Sequence, residues 1–250
     1  MREMKKLQKT AGGQKEELLR DTYIEVDLDK LAANVVMIKD MVGPEVAITA
    51  VIKANGYGHG AWQIAQSIMD AGADYLAVAT LTEALELREH AIDAPILIMG
   101  HTPDRLLPHV AEQGLTQTIF SLEQAKLLNE LAEGCGRKVK VHIKVDTGFH
   151  RLGKMPSADY LAEIQKICRL PHVEAEGIFS HLALVNQEEN EKQYRMFTDF
   201  LEELSAAGCS FRYRHIADSI ACVDYPQYRM NMVRPGALLY GMRGYHIGYL

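Results

Sequence analysis

Short apolar runs alternate with amphipathic stretches along most of the chain. Runs at 46–53, 75–80, 95–100, 116–121, 139–146, 175–181, 213–218 and 232–241 are short and rich in β-forming residues. Each is therefore predicted to be a strand. The stretches between them carry helical spacing. Ile64, Ala65, Ile68 and Met69 share one face and Gly72 stops the pattern; Tyr194, Phe197, Leu201 and Leu204 form a second stripe ending at Gly208. Ser121 and Gln124 stand at capping-box spacing. A further amphipathic segment, 29–41, precedes the first apolar run, and a strand is expected at 22–27.

Strands that alternate with helices join by right-handed crossovers into a parallel sheet. Eight such units suit closure, so the predicted fold class is α/β, a (β/α)8 TIM barrel, with the 29–41 helix standing in for a final one. An open doubly wound sheet competes, but no GxGxxG opens a helix after the first strand. In a closed barrel the working face is the C-terminal rim of the strands. Those ends hold Lys53, Thr80, Gly100, Ser121, Asp146 with Arg151, His181, Asp218 with Ser219, and Arg234 with Gly236. Any one of these alone reads as a cap or a core residue. Their convergence on one rim argues for a site.

Composition narrows the functional classes. The chain has 250 residues, is 48% hydrophobic and 24% charged, and has a formal charge of −6. That is an ordinary globular balance, and it gives no global basic field for nucleic acid or an anionic membrane. Cys135, Cys168, Cys209 and Cys222 form no CxxC pair, which points to reduced, mostly buried thiols and a cytoplasmic location. Residues 1–20 are basic at first without an apolar core, so they read as a frayed extension and not a secretory signal. No apolar run is long enough to span a bilayer. The ten histidines show no HExxH or other ligand spacing, so no metal site is expected; His101 and His109 read as loop and helix-surface residues.

One rim residue stands apart. In "AVIKANGYGHG", Lys53 ends an apolar run where Gly56, Gly58 and Gly60 allow close backbone approach and Tyr57 offers a hydroxyl to an anion. Enclosed in a barrel mouth among other cations, a lysine amine is favoured in its neutral form and can attack a carbonyl to give a Schiff base.

Together with "VHIKVDTGFHRLG", "GIFSHLA", "HIADSIA" and "NMVRPGALLYG", this segment resembles the barrel domain of the alanine racemase family, fold-type III pyridoxal-phosphate enzymes. The resemblance runs from about Asp21 to Gly241 and includes "RDTYIEVDLDKLAANV" near the start. It implies pyridoxal 5'-phosphate as cofactor, held at Lys53 as a Schiff base, with Lys53 the acid or base on one face of the substrate Cα. Tyr57, Ser219 and Gly236 match positions that hold the cofactor phosphate, and His181 matches the imidazole packed on the pyridine ring. Arg151 matches the arginine at the pyridoxal phenolic oxygen and a substrate contact, and Lys144 a lysine often carbamylated to orient it. Arg234 matches the arginine facing the pyridine nitrogen, with His215 behind it. An arginine donates only, so the ring nitrogen stays unprotonated and the carbanion short-lived, which favours racemisation over side reactions.

The resemblance implies interconversion of L- and D-alanine, with serine as a second candidate substrate, supplying D-alanine as a peptidoglycan precursor, in a homodimer. Two departures stand against it. Asp218 replaces the family's usual asparagine beside the phosphate positions. The family's C-terminal β domain, which carries the opposite-face tyrosine and substrate-carboxylate contacts, does not follow residue 250, so full activity is expected to need it. Tyr240, Tyr245 and Tyr249 read as structural. A single-domain barrel that handles the cofactor with little turnover is the alternative.

Overall fold

The computed structural model describes residues 8–9, 15–16 and 22–242. Eight parallel strands form one sheet: β1 (Ala47–Val51), β2 (Tyr75–Val78), β3 (Ile96–Ile98), β4 (Thr116–Ile119), β5 (Val139–Lys144), β6 (Val173–Phe179), β7 (Tyr213–His215) and β8 (Met232–Val233). From β1 to β7 each strand pairs with the next in sequence, and β8 pairs with β1. Between β7 and β8 there is no ladder. Asn231 bridges the gap instead: its Oδ1 accepts from the Arg214 N–H at 2.7 Å and its Nδ2 donates to the Arg212 carbonyl at 2.7 Å. The Arg234 N–H then donates to the Ala217 carbonyl at 3.0 Å, which closes the rim above them.

Helices α1 (Leu28–Val42), α2 (Ala61–Asp70), α3 (Leu81–Glu89), α4 (Leu107–Glu112), α5 (Leu122–Gly134), α6 (Ala158–Cys168), α7 (Gln187–Ala206) and α8 (Ser219–Asp224) surround the sheet. Helix α1, expected from 29–41, packs against α2 and the 3-10 turn Ala237–Tyr240, where Asn34 Nδ2 donates to the Leu239 carbonyl at 2.9 Å. Ile64, Ala65, Ile68, Phe197 and Leu204 are buried between helices and sheet, while Met69, Tyr194 and Leu201 lie half-buried at the margin.

The helix starts follow simple capping chemistry. Asp27, Thr80, Ser121, Ser157, Asn186 and Asp218 each accept a backbone N–H of the first turn. The reciprocal box expected at Ser121 and Gln124 is half made. Ser121 caps, but the Gln124 amide turns away and donates to the Thr102 carbonyl at 3.1 Å. A complete box stands at Thr80 and Glu83.

The eight strands overlap the expected runs, most of them shorter than the run, and three departures stand out. The 232–241 run holds strand only at Met232–Val233, because Pro235 has no N–H to donate and the chain bends at Gly236 into the Ala237–Tyr240 turn. Residues 22–27 contain no strand; Asp27 is instead the cap of α1, and Tyr23 and Ile24 lie exposed before it. Strand β6 starts at Val173, earlier than the 175–181 run. The extension expected at 1–20 falls outside the described residues, apart from a ladder pairing Gln8–Lys9 with Lys15–Glu16.

Two cores result. One fills the layer between sheet and helices. The other lies inside the barrel, where Ala47, Val51, Tyr75, Ala77, Leu97 and Met232 meet on the β1, β2, β3 and β8 side. Across from them, β5 turns Lys140, His142 and Lys144 inward, alternating with Val139, Val141 and Ile143 of the outer layer. The lumen is apolar on one wall and ionic on the other. Cys209 and Cys222 are buried, Cys168 is half-buried and Cys135 is exposed, all four as free thiols.

Candidate active site

A cavity of about 440 Å³ opens at the C-terminal rim. Lys53, Tyr57, Lys144, Arg151, His181, Ser219, Arg234 and Gly236 all line it. His215 does not reach it and lies fully buried behind Arg234. His101 and His109 are exposed, outside the cavity, as expected. Among the described residues no cluster of metal-ligating side chains occurs.

Lys53 owes its placement to the turn that follows it. Ala54, Asn55, Gly56 and Tyr57 all have positive φ, at 52°, 53°, 61° and 53°. Left-handed backbone costs an ordinary L-residue roughly 1–2 kcal/mol, so such a turn needs fixing. Glu83 supplies it: one carboxylate oxygen accepts the Ala54 N–H at 2.6 Å, the other the Ala79 N–H at 2.7 Å and the Thr80 N–H at 3.1 Å. Asn55 Oδ1 accepts from the Ala61 N–H at 2.8 Å, joining the turn to α2. The sequence reading missed Glu83; its spacing three residues after Thr80 is the signal that could have found it.

Tyr57, carried by the same turn, faces Gly236 and lies 5.2 Å from the ring of Tyr240. Burial, and then the nearby charge of Asp218, raise its hydroxyl above the ordinary tyrosine range, so it remains a donor. The hydroxyl of Ser219 accepts the N–H groups of Gly236 at 2.8 Å and Leu238 at 3.2 Å, and its own proton is free to serve a ligand. Asp218 lines the cavity, but its Oδ1 turns to the Ala221 N–H at 3.0 Å and caps α8.

Arg234 is 5% exposed, and both of its terminal nitrogens are bonded within the protein. Nη1 donates to His215 Nδ1 at 2.6 Å; Nη2 donates to the carbonyls of Ser180 at 2.9 Å and Ile216 at 3.2 Å, and meets His181 Nδ1 at 3.4 Å. Its guanidinium also lies over the ring of Phe179, 5.1 Å from the centroid. Burial pulls Arg234 down to about 10, with Asp218 opposing, and it keeps its charge at neutral pH. That charge acts on its neighbours. Burial and then the charges of Arg234, Arg151, Lys144 and Lys53 lower His181 to about 3, so the imidazole is neutral.

Lys144 is buried under the site, over the same Phe179 ring, and donates to the Val145 carbonyl. Burial, with the charges of Arg234 and Arg151, brings its amine down to about 7 against the opposing pull of Asp146. Arg151 sits exposed at the mouth, stacked over Phe149 at 4.4 Å. Its loop is held by Asp146, whose Oδ1 accepts the N–H groups of Gly148, Phe149 and His150 at 3.0, 3.0 and 3.1 Å. Burial resists ionisation of that carboxylate, but the backbone donors outweigh it and lower its pKa.

The cavity thus gathers cations at its rim and base, hydroxyl donors at one end, and a lysine amine between them. A family model described as alanine racemase, N-terminal domain, matches residues 26–244. Alanine racemase 2 of Caldanaerobacter subterraneus is 42% identical over 226 residues, which is 89% of this chain and 58% of that protein. The alanine racemase of Clostridium tetani is also 42% identical, over 227 residues covering 89% of this chain and 58% of its own length. Among solved structures, an alanine racemase of Clostridium difficile in complex with cycloserine superposes with a TM-score of 0.89 at 36% identity, covering 93% of this chain and 66% of that one. The chain spans 58% of the length of these curated relatives. It belongs to the alanine racemase N-terminal domain family.

Proposed function

We propose that the cavity binds pyridoxal 5'-phosphate at Lys53 and that the intact protein racemises alanine. The observation that carries this is the meeting of Lys53, Tyr57, Ser219, Gly236 and Arg234 on one cavity. Its volume, about 440 Å³, suits a cofactor of that size. The residues present also fit the group chemically. At the phosphate end, a Cβ on Gly236 would stand 2.6 Å from Tyr57 Oη, so the glycine keeps open a cradle beside two hydroxyls. When bound, pyridoxal phosphate supplies the electron sink that acidifies the substrate Cα–H.

The protein's own residues do the rest. Lys53 Nζ would hold the cofactor carbon and, once the substrate amine has displaced it, the freed amine would take or return a proton on one face of the substrate. Tyr57 and Ser219 would donate to phosphate oxygens. Neutral His181 would lie against the ring without adding charge, and Arg234 would offer the ring nitrogen a donor that does not give up its proton. Arg151, at the mouth, would pair with the ring oxygen and the substrate carboxylate. The neutral Lys144 amine can attack carbon dioxide and lose a proton to give a carbamate anion, which the charges of Arg151 and Arg234 would favour. An acid or base is needed on the opposite face; we assign it to a tyrosine of the family's C-terminal β domain, contributed within a homodimer.

No helix among the described residues is long and apolar enough to cross a membrane, and a cytoplasmic location is part of this reading. The test is racemisation of L-alanine and L-serine followed by circular dichroism, with this chain alone and then mixed with a C-terminal domain from a relative. Turnover of alanine that rises on mixing supports the proposal. Cofactor bound without turnover in either case would favour the cofactor-handling barrel.

A further inference from the structure

Behind Arg234 a line of buried polar groups runs down the ionic wall of the lumen. Arg234 Nη1 meets His215 Nδ1 at 2.6 Å, His215 Nε2 meets His142 Nδ1 at 2.9 Å, and His142 Nε2 stands 3.7 Å from Glu176 Oε2. Glu176 also accepts from the Tyr75 hydroxyl at 2.6 Å and from Lys140 Nζ at 2.6 Å. Lys140 lies near the opposite end of the barrel, its side chain 42% exposed.

We propose that His142 and Glu176 are positioning residues of the site: they terminate a one-way chain of donors, starting at Arg234, that fixes which nitrogen of each imidazole carries its proton. The inference rests on the reading of Arg234 as the residue facing the cofactor ring. The direction follows from elementary chemistry. A guanidinium only donates, so His215 Nδ1 must accept. A neutral imidazole with an accepting Nδ1 carries its proton on Nε2, so His215 donates to His142 Nδ1. By the same step His142 carries its proton on Nε2, and that N–H faces the Glu176 carboxylate. His142 Nε2 makes no hydrogen bond within 3.5 Å among the described residues, and the Glu176 carboxylate, 3.7 Å away, is the acceptor it faces.

The surroundings agree with neutral rings and an ionised end. Both imidazoles are fully buried, and burial lowers their pKa values. Burial would raise Glu176, but the donors of His142, Lys140 and Tyr75 outweigh it and bring it to about 2.

The backbone is adapted to the line. The pairing of β5 with β6 passes from Val141↔Ala175 to His142↔Gly177, which leaves Glu176 as the extra residue of a bulge and directs it inward. A Cβ on Gly177 would lie 2.7 Å from the His142 ring, so the glycine makes room for it. Without an acceptor at 176, His142 can carry its proton on Nδ1. That N–H would face the N–H of His215, whose own proton would be driven to Nδ1 and against Arg234.

The test is nitrogen-15 NMR of histidine-labelled chain, with pyridoxal phosphate affinity measured in parallel. His142 and His215 are expected as neutral Nε2–H tautomers. Glu176→Gln keeps an accepting oxygen and is expected to preserve both tautomers and the affinity. Glu176→Leu is expected to shift His142 toward Nδ1–H and weaken affinity by about tenfold, the order expected for losing one buried hydrogen bond. An Nδ1–H tautomer at either ring of the wild-type chain overturns the proposal, as does Glu176→Leu with tautomers or affinity unchanged. Should the chain take up no pyridoxal phosphate, the cofactor reading fails, while the tautomers of wild type and variants still decide the donor chain.

Discussion

The α-carbon of Gly236 lies directly beneath the hydroxyl of Tyr57: a single added methyl group would stand 2.6 Å from Oη and 3.3 Å from Cζ. The two residues come from opposite ends of the domain, one on the turn after β1 and the other just beyond β8. Their contact exists because β8 pairs with β1.

Gly236→Ala is therefore expected to push the Tyr57 hydroxyl off the proposed phosphate cradle. Tyr57 is half-buried and can move, so stability should fall by no more than about 1–2 kcal/mol. Pyridoxal phosphate affinity should fall by about tenfold or more, the equivalent of a lost hydrogen bond to a charged group. Spectrophotometric titration alongside thermal denaturation separates the two effects.

Glu83 bonds three backbone N–H groups across two loops, and the left-handed turn after Lys53 depends on it. Glu83→Ala should cost about 1–3 kcal/mol, because hydrogen bonds to an ionised carboxylate exceed neutral ones. Glu83→Gln keeps one accepting oxygen and should fall between. In the cofactor-free chain, acylation of Lys53 measured by mass spectrometry should change in rate in the alanine variant, and an unchanged rate would mean that the turn holds without the carboxylate.

The buried amine of Lys144 makes stability depend on pH in a defined window. Its folded value is about 7 against 10.5 for an ordinary lysine. Below about pH 7 the amine is protonated in both folded and unfolded chains, and the pH slope from this group vanishes. Between about 7 and 10.5 the unfolded chain holds a proton that the folded chain has released, so stability rises with pH, by at most about 1.4 kcal/mol per unit. Denaturation of wild type and Lys144→Met in carbon-dioxide-free buffer should show that rise in wild type relative to the variant.

Much of the architecture is legible in the residues themselves. The strands read as short β-rich runs, some almost wholly apolar such as 75–80 and others alternating such as 139–146, and amphipathic helical segments separate them. What escaped is local. The 232–241 run looks like one strand because Leu238 and Leu239 are as buried as Met232, yet Pro235 breaks the ladder between them. Lys53 and Arg234 stood out at the ends of apolar runs, before a glycine-rich turn and a proline, with Tyr57 inside that turn, and all three line the cavity. Glu83, His142 and Glu176 did not. Each acts through a contact distant in sequence, and Glu176 points inward because of a bulge that strict alternation does not reveal.

The most direct test of the account is covalent. The purified chain is saturated with pyridoxal phosphate, reduced with borohydride, digested and mapped by mass spectrometry. A visible absorption band before reduction, a label on Lys53, and loss of both in Lys53→Ala are the expected results. A colourless chain with excess cofactor, or a label on Lys144 with Lys53 unmodified, would contradict it.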